Sequence, residues 1–340
     1  MKRRVGIIGL GMAVAPHAQS LLDLAERVEV AAACSRSEEH RRRFAERYPF
    51  PLVDDMRAIL DDRSISAVLV LTPPTTHLEV VRQVADAGKH VLVEKPVEAT
   101  VARAEALVEH CRRAGVTLAV MLQHRFRPGS LRLERRLAEG ALGEIAAASV
   151  AIRWWRPQSY YDEPGRGTLA RDGGGVLMTQ AIHTLDLFQS LAGPIAEVAA
   201  FAGTSRLHRM ETEDIVGAAI RFANGALGTI DATTASYPGF PERIELVATK
   251  ATAVLSGGLA IHHRSGEVES FEASQEAGGG ADPMAFSHEA HRGVIADFLD
   301  ALDERREPRI SGAEALKVHR LIAALLLSSR ERRPVAVGSA

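Results

Sequence analysis

Two segments of the chain carry side chains that could transfer protons. In the first, Lys95 stands between Glu94 and Pro96, directly after an apolar run. In the second, His183 lies in "GGGVLMTQAIHTLD", Gly173–Asp186, where three glycines precede a helical pattern. An imidazole, with a reference pKa of about 6.5, exchanges protons at neutral pH, whereas a lysine at about 10.4 needs burial or a nearby positive charge to lower its pKa. The alternative interpretation of His183 is a hydrogen-bonded structural histidine.

The elements before residue 122 determine how Lys95 is presented. Five short apolar runs, "RVGIIGL", "VEVAAACS", "ISAVLVLTPP", "KHVLVEKP" and "VTLAVML", alternate with helical patterns. This alternation predicts a doubly wound parallel sheet with helices on both faces, whose ligands bind beyond the carboxyl ends of the strands. Lys95 directly follows the fourth run and is expected to project into that crevice, although a lysine before a proline can also be solvent-exposed.

The glycines after the first strand predict a phosphate-binding turn. The segment "GLGMAV", Gly9–Val14, follows a strand and opens a helical pattern. Gly9 allows the tight turn, and Gly11 lets a pyrophosphate approach backbone N–H groups at the helix N-terminus. The third glycine of the dinucleotide fingerprint is replaced by Val14. In this context we interpret the segment as a dinucleotide-binding site, with cofactor contacts from Gly9, Gly11, Met12 and Ala13.

The end of the second strand indicates which dinucleotide is preferred. Ser35 and Arg36 occupy the place where an NAD-preferring site usually has an acidic residue. A guanidinium can hold a 2′-phosphate with two charge-assisted hydrogen bonds, which a carboxylate would repel. We therefore predict NADP(H) as the cofactor, with NAD(H) as the other option and an exposed helix-start arginine as the structural alternative.

The loops after the third and fourth strands complete the predicted cofactor site. In "TPPTTH" two prolines prevent ladder pairing and helical continuation, which gives a rigid loop of the kind that can flank a nicotinamide. From these loops we predict cofactor contacts by Thr72, Pro73, Pro74, His77, Glu94 and Lys95.

Composition excludes several classes of protein. The 340 residues are 46% hydrophobic and 25% charged, with a formal net charge of −2, which gives no global attraction to nucleic acid or to acidic membranes. No apolar stretch approaches the roughly 18 residues of a membrane span, and glycines interrupt the apolar start of the chain, so we expect a cytoplasmic protein. The two cysteines, Cys34 and Cys111, lack metal-ligand spacing, and no metal site is predicted.

Eight motifs, in order along the chain, resemble the glucose–fructose oxidoreductase/inositol dehydrogenase (Gfo/Idh/MocA) family: "GIIGLGMA", "TPPTTHLEVV", "AGKHVLVEKP", "HRFRPG", "GALGEI", "GGGVLMTQAIHTLD", "TEDIVGAAIRFANGALGTI" and the closing "ADFLDALDERREPRISGAEALKVHRLIAAL". The resemblance implies a Rossmann domain, here 1–122, and a second α+β domain, 123–340. The second domain carries a large, mostly antiparallel sheet whose open face joins subunits, so a homodimer or homotetramer is expected. Strand-like runs between residues 143 and 280 agree with this outline.

The resemblance also implies an activity, namely NAD(P)-dependent oxidation or reduction at a hydroxyl-bearing carbon of a sugar, cyclitol or related small molecule. Lys95 would then lie beside the nicotinamide and the substrate hydroxyl. The family's motif has an aspartate one helical turn before the histidine, but Thr179 stands there in this chain and Ala181 replaces the following glycine. We therefore expect His183 to transfer the proton and Lys95 to polarise the substrate oxygen, while Thr179 forms hydrogen bonds without carrying charge. A cofactor-retaining glycosidase that uses transient oxidation and a non-catalytic cofactor-binding regulator remain alternatives.

Candidate substrate contacts lie around these groups. "QHRFRP" contains His124 and Arg125, and "RWWRPQSYYDEPGRGT" is rich in aromatic residues and arginines, although aromatics make up only 5% of the chain. Aromatic faces suit sugar C–H surfaces, and arginines suit hydroxyls or a carboxylate; a packed strand edge or a subunit contact explains the cluster equally well. Asp172 could cap the helix and Asp186 could orient His183. The predicted substrate-binding set is Lys95, His124, Arg125, Trp154, Arg156, Tyr160, Arg166, Thr179 and His183.

Overall fold

The computed structural model describes residues 2–272 and 287–338, which cluster into two compact units. The first unit comprises Met1–Gln123 and His288–Leu316, and the second comprises His124–Ser287 and Lys317–Ala340. The sequence analysis placed the boundary after residue 122 and assigned everything beyond it to the second domain. Residues 288–316 instead cluster with the first unit, because a helix of this segment packs against its first helix and its last strand.

A six-stranded parallel sheet forms the centre of the first unit. Its strands are β1 (Arg3–Ile8), β2 (Val28–Cys34), β3 (Leu52–Val53), β4 (Ala67–Val70), β5 (His90–Glu94) and β6 (Leu118–Met121). Their order is β3-β2-β1-β4-β5-β6, which is the Rossmann order and confirms the predicted doubly wound sheet. The central strands are apolar throughout because both faces of the sheet are covered.

The helices between these strands begin and end at recognisable residues. They are α1 (Val14–Asp23), α2 (Glu38–Ala45), α3 (Arg57–Leu60), α4 (His77–Asp86) and α5 (Val101–Ala114). The hydroxyls of Ser37 and Thr100 accept backbone N–H groups in the first turns of α2 and α5. Helix α5 ends at Gly115, whose φ of 68° is left-handed.

A nine-stranded sheet forms the core of the second unit. Its strands are β7 (Ile145–Arg153), β8 (Ile195–Gly203), β9 (Ile215–Phe222), β10 (Leu227–Thr233), β11 (Arg243–Ala248), β12 (Ala251–Leu255), β13 (Gly258–His263), β14 (Val268–Glu272) and β15 (Val335–Ala336). Their order is β14-β13-β12-β11-β7-β10-β9-β8-β15, and every pairing except β7–β10 is antiparallel. The predicted large, mostly antiparallel sheet is confirmed.

Helices cover one face of this sheet. The helices of this unit include α6 (Pro128–Ala138), α7 (Gln158–Tyr161), α8 (Leu169–Asp172) and α9 (Ile182–Ala192), the last preceded by a π-helical turn over Leu177–Ala181. Helix α9 packs on β7, and α6 packs on β12 and β13. The strand register places Phe201, Ile215, Leu227 and Val247 together on the opposite face, where all four are exposed. We call this the open face.

Two further helices follow near the C-terminal end of the described residues. Helix α10 (Glu289–Glu304) packs on α1 and on β6, and its Asp300 forms an ion pair with Arg27 at 2.5 Å. Helix α11 (Gly312–Glu331) follows. Among the described residues, none of the helices combines the length and apolar character that a membrane crossing requires.

Candidate functional site

The turn after β1 has the shape of a phosphate-binding loop. Gly9 has a φ of +105°, and a Cβ there would lie 2.7 Å from the backbone carbonyl of Leu71, so only glycine fits. A Cβ on Gly11 would meet nothing within 4 Å, which leaves open space in front of the backbone. Met12 is 56% exposed and Ala13 immediately precedes α1. Open backbone N–H groups at a helix N-terminus fit the pyrophosphate of a dinucleotide.

The end of β2 lies beside this turn. The Gly9 N–H donates to the Cys34 carbonyl at 2.9 Å, so the two strand ends are adjacent. The Ser35 hydroxyl accepts the Ser37 N–H at 3.3 Å, and the Ser35 carbonyl accepts Arg41 Nη1 at 2.5 Å, which together fix the start of the loop. The Arg36 side chain is exposed. The Arg36 guanidinium is thus exposed at the strand end where the sequence analysis predicts recognition of the adenosine ribose.

His77 joins the loops that follow β4 and β5. Its ring is completely buried and lies 2.7 Å from the Thr72 carbonyl, 3.0 Å from that of Pro96 and 3.1 Å from that of Val97. Because its ring is buried between these backbone carbonyls, His77 holds the two loops together, and its predicted contact with a cofactor stays a prediction. Pro73 is exposed and Thr72 half-buried at the mouth of the first loop, while Pro74 begins a short 3₁₀ turn.

Glu94 and Lys95 occupy the end of β5. The Glu94 carboxylate is 2.7 Å from His17 Nε2 through one oxygen, and its other oxygen accepts the Lys95 backbone N–H at 2.9 Å. Burial raises the pKa of Glu94, but the hydrogen bond and charge of His17 and the charge of Lys95 outweigh it, so the pKa lies below its ordinary value. Both oxygens are thus engaged inside the unit, where Glu94 fixes the backbone of Lys95; the predicted cofactor contact of Glu94 stays a prediction.

A second histidine completes this buried group. His291 comes from α10, and its ring meets that of His17 edge-on, with centroids 5.3 Å apart. Burial, and then the charge of His17, lower the pKa of His291 to about 3. His291 is therefore neutral at physiological pH.

In the second unit, Glu213 holds the end of the glycine run, at Gly175, and the two residues that follow it. A Cβ on Gly175 would lie 1.9 Å from the Glu213 carbonyl, so the close approach of the two segments requires glycine. The Glu213 carboxylate accepts the N–H groups of Gly175 and Leu177, each at 3.2 Å, and its carbonyl accepts that of Val176 at 2.8 Å. These bonds satisfy the first backbone donors of the helical segment that carries His183.

His183 is paired with His124. The two rings stack with centroids 4.9 Å apart and an interplanar angle of 26°, and both residues are buried. Thr184 Oγ1 lies 3.2 Å from His124 Nδ1, which anchors the second ring. Thr179 donates its hydroxyl to the Gly175 carbonyl at 2.7 Å, within the π-helical turn. Such turns occur frequently at functional sites.

Asp186 contacts Arg125. Its carboxylate accepts Arg125 Nε at 2.7 Å and Nη2 at 2.6 Å, a bidentate ion pair with Asp186 only 1% exposed. The sequence analysis expected Asp186 to orient His183 and Arg125 to contact substrate. In the structure this carboxylate binds Arg125, and the ion pair fixes the segment that carries His124.

The predicted aromatic cluster does come together. The guanidinium of Arg156 lies 5.6 Å from the Trp154 ring and 5.7 Å from the Tyr160 ring, and that of Arg166 lies 4.4 Å from Tyr160. The Tyr160 hydroxyl also accepts Arg166 Nη1 at 3.0 Å and Gln180 Nε2 at 3.3 Å. The cluster is thereby tied to the π-helical turn before His183. Asp172 accepts the Gly167 N–H at 2.7 Å and so stabilises the loop rather than capping α9.

Sequence reasoning missed His17, His291 and Glu213. The two histidines lie on the buried faces of α1 and α10, among apolar neighbours such as Val14 and Val294. A histidine within an apolar helical stripe was the available signal. Glu213 had none, because its role depends on a contact with Gly175 that sequence spacing does not reveal.

Comparison with known proteins agrees with this arrangement. Residues 3–122 match the model of an oxidoreductase family with an NAD-binding Rossmann fold, and residues 130–254 match the Gfo/Idh/MocA C-terminal domain. The chain belongs to the Gfo/Idh/MocA family. It is therefore an oxidoreductase with a nicotinamide-dinucleotide-binding domain, acting on CH–OH groups.

Individual relatives cover nearly the whole chain. A D-apiose dehydrogenase of Paraburkholderia graminis is 28% identical over 98% of this chain and 89% of its own. A scyllo-inositol 2-dehydrogenase of Bacillus subtilis, named for NADP⁺, is 24% identical over 98% of this chain and 95% of its own. The WlbA dehydrogenase of Bordetella pertussis, solved with NADH and UDP-GlcNAcA, superposes with a TM-score of 0.85 at 26% identity, covering 100% of both chains.

The neutral state of His291 predicts acid sensitivity. Because its folded pKa of about 3 lies below the unfolded value of about 6.5, the unfolded chain takes up the proton first, and stability falls as the pH drops below about 6.5. At pH 5 this one group accounts for about 2 kcal/mol of lost unfolding free energy. Urea unfolding followed by circular dichroism at pH 7 and pH 5 should show a smaller difference in His291→Asn. The exposed His262→Asn should keep the native difference, and an equal pH dependence in all three proteins would contradict the assignment.

Proposed function

We propose that the protein is an NADP(H)-preferring dehydrogenase or reductase. Its substrate would be a sugar, cyclitol or related polyol-like molecule, with hydride moving between the nicotinamide and a hydroxyl or keto carbon. The supporting observation is the turn before α1, in which Gly9 packs against the backbone of Leu71 while Gly11 faces open space. The two dehydrogenases named above act, by their names, on polyhydroxylated small molecules, and their sequences match this chain over nearly its full length.

The protein's own residues would divide the remaining chemistry. His183, with a reference pKa of about 6.5, would accept the hydroxyl proton during oxidation and return it during reduction. Lys95 would polarise the substrate oxygen with its positive charge. His124 stacks on His183 and would limit the orientations of its ring. Thr179 would shape the turn through its bond to the Gly175 carbonyl.

The remaining predicted substrate contacts fall into two groups. Trp154, Arg156, Tyr160 and Arg166 form one cluster and offer aromatic faces and N–H donors, which suit the C–H and hydroxyl surfaces of a polyol. Arg125 is paired with Asp186, so we propose a positioning role for it.

A substrate screen tests the reaction class. Sugars, cyclitols, anhydrosugars and dihydrodiols should be offered with NADP⁺ while nicotinamide absorbance is followed. Net cofactor reduction with at least one polyol supports the proposal. Product formation without any net absorbance change would replace it with a cofactor-retaining glycosidase.

Replacing Lys95 or His183 should slow turnover far more than it weakens cofactor binding. Proton transfer by a positioned side chain contributes typically 10²–10⁴-fold, so we expect kcat to fall by about 10²-fold or more in Lys95→Met and in His183→Gln. Lys250→Met and His263→Gln provide matched controls away from both motifs. Steady-state kinetics and a cofactor titration separate the two effects; native turnover in His183→Gln would assign the proton step to another group.

Arg36 should set the preference for NADPH over NADH. One charge-assisted hydrogen bond contributes about 1.5–3 kcal/mol, which corresponds to roughly ten- to a hundred-fold in affinity. Calorimetric titrations should therefore show tighter binding of NADPH than of NADH in the native protein. The ratio should approach one in Arg36→Ala, while Arg42→Ala on the same surface segment should leave it unchanged. Equal affinities of the native protein for NADPH and NADH would contradict the proposed role of Arg36.

We also propose that the open face joins subunits into a homodimer or homotetramer. Phe201 is 79% exposed, Leu227 56% and Ile215 44%, all on one side of the sheet. An apolar sheet face of this kind is commonly covered by association. Sedimentation velocity should give a dimer or tetramer for the native protein and a smaller species for Phe201→Glu. Leu207→Glu, which changes an exposed loop residue, should sediment like the native protein; a native monomer would contradict the proposal.

A further inference from the structure

We propose that His17 and Glu94 are positioning residues for Lys95. In this inference the Glu94 carboxylate, oriented by His17, fixes the backbone of the lysine and keeps its ammonium group protonated. Lys95 then acts as a fixed positive charge and does not serve as the proton acceptor. The inference rests on the proposed function, because it refines the role assigned there to Lys95.

The first support is the geometry of the carboxylate. One oxygen of Glu94 is 2.7 Å from His17 Nε2, and the other is 2.9 Å from the backbone nitrogen of Lys95. The side chain of His17 is 0% exposed and that of Glu94 is 11% exposed, so water competes little for these bonds. A carboxylate that is hydrogen-bonded at both oxygens keeps one orientation. Its second oxygen therefore fixes the backbone nitrogen of Lys95.

The second support is the balance of charge around this carboxylate. The groups that face Glu94 are His17 from α1, His77 from α4, His291 from α10, and Lys95. Burial keeps His291 neutral, and burial likewise lowers the pKa of His77. His288, also on α10, is paired with Asp23 at 2.7 Å. Lys95 therefore supplies, together with His17, the positive charge that balances the buried carboxylate.

The electrostatic coupling acts in both directions. The charge of Lys95 contributes to the lowered pKa of Glu94, and the same attraction must favour the protonated lysine. A lysine that serves as a base needs the opposite environment, one that favours the neutral amine. The sequence left open whether Lys95 shares the proton. The buried carboxylate next to it favours an assignment in which Lys95 only polarises the substrate oxygen and His183 moves the proton.

The same three side chains could also be considered as metal ligands, since ligand atoms of His17, Glu94 and His291 lie within 4.8 Å of one another. Two ligand atoms on a tetrahedral zinc ion are separated by about 3.3 Å, from bond lengths of roughly 2.0–2.1 Å. The His17–Glu94 separation of 2.7 Å is instead that of a charge-assisted hydrogen bond, and the other carboxylate oxygen already accepts a backbone N–H. The geometry therefore favours a hydrogen-bonded network.

The experiment measures how readily the Lys95 amine reacts with an acylating reagent, by mass spectrometry, across pH 7–10. The full-length protein is used without substrate or cofactor. In Glu94→Gln the lysine should deprotonate at lower pH, and a shift of one pH unit appears as about tenfold faster labelling at a given pH. His17→Leu should show the same direction, whereas His17→Gln, which retains an N–H donor, should return toward native labelling. His110→Gln removes a comparable 2.8 Å pair with Asp86 on the surface and should change nothing.

The outcomes separate this inference from the proposed function. Faster Lys95 labelling in Glu94→Gln and His17→Leu supports the positioning role even if no polyol is oxidised, in which case only the proposed function fails. Where turnover is measurable, the same variants should lower kcat more than they raise KM, and His17→Gln should restore it. Unchanged labelling in both Glu94→Gln and His17→Leu would overturn the inference. Stoichiometric zinc bound by the native protein and lost in His17→Leu, measured by plasma mass spectrometry, would overturn it in favour of a metal site.

Discussion

The contact between Gly9 and the backbone of Leu71 is the constraint on which the first unit depends. A Cβ atom on Gly9 would lie 2.7 Å from the backbone carbonyl of Leu71, so no side chain fits at this position. The positive φ of Gly9 turns the chain away from β1 and into α1. The same turn leaves the backbone before α1 open on its other side, at Gly11. Close packing on one side and open space on the other are what a pyrophosphate needs at a helix N-terminus. The loops after β2, β4 and β5 end at the same edge of the sheet because all its strands are parallel.

A similar constraint organises the second unit. Gly175 approaches Glu213 closely. The carboxylate and the backbone carbonyl of Glu213 therefore accept the N–H groups of three consecutive residues, Gly175 to Leu177, at the start of the π-helical turn. This arrangement satisfies the first donors without a side chain from the segment's own N-cap residue, and His183 follows in α9, against the ring of His124. In each unit, therefore, a buried carboxylate holds the backbone of the segment that carries a residue we propose for chemistry. These residues are Lys95 in the first unit and His183 in the second.

The sequence predicted those parts of the structure that local pattern controls. The parallel strands were predicted because buried strands consist of apolar runs that end at glycine or proline. The glycine turn was predicted because a strand precedes it and a helical pattern follows it. The return of α10 to the first unit was not predicted, because its apolar stripe would fit any covered surface. The partners of His77, Arg125 and Asp186 were not predicted for a related reason: each polar side chain bonds to a group distant in the sequence, where spacing gives no information. The replacement of the family's aspartate by Thr179 was visible from the start, and the structure shows its hydroxyl bound to the Gly175 carbonyl.

The most direct test of the account is a calorimetric titration of NADPH into the native protein and into Gly11→Val. Because a Cβ at Gly11 meets nothing within 4 Å, the valine should leave the fold and its thermal stability intact and occupy only the space assigned to the cofactor. The account predicts saturable binding to the native protein and an affinity lowered by about tenfold or more in the variant, from the lost close approach of phosphate to backbone. Equal affinity in both proteins, or no binding to the native chain, would contradict the assignment of this turn.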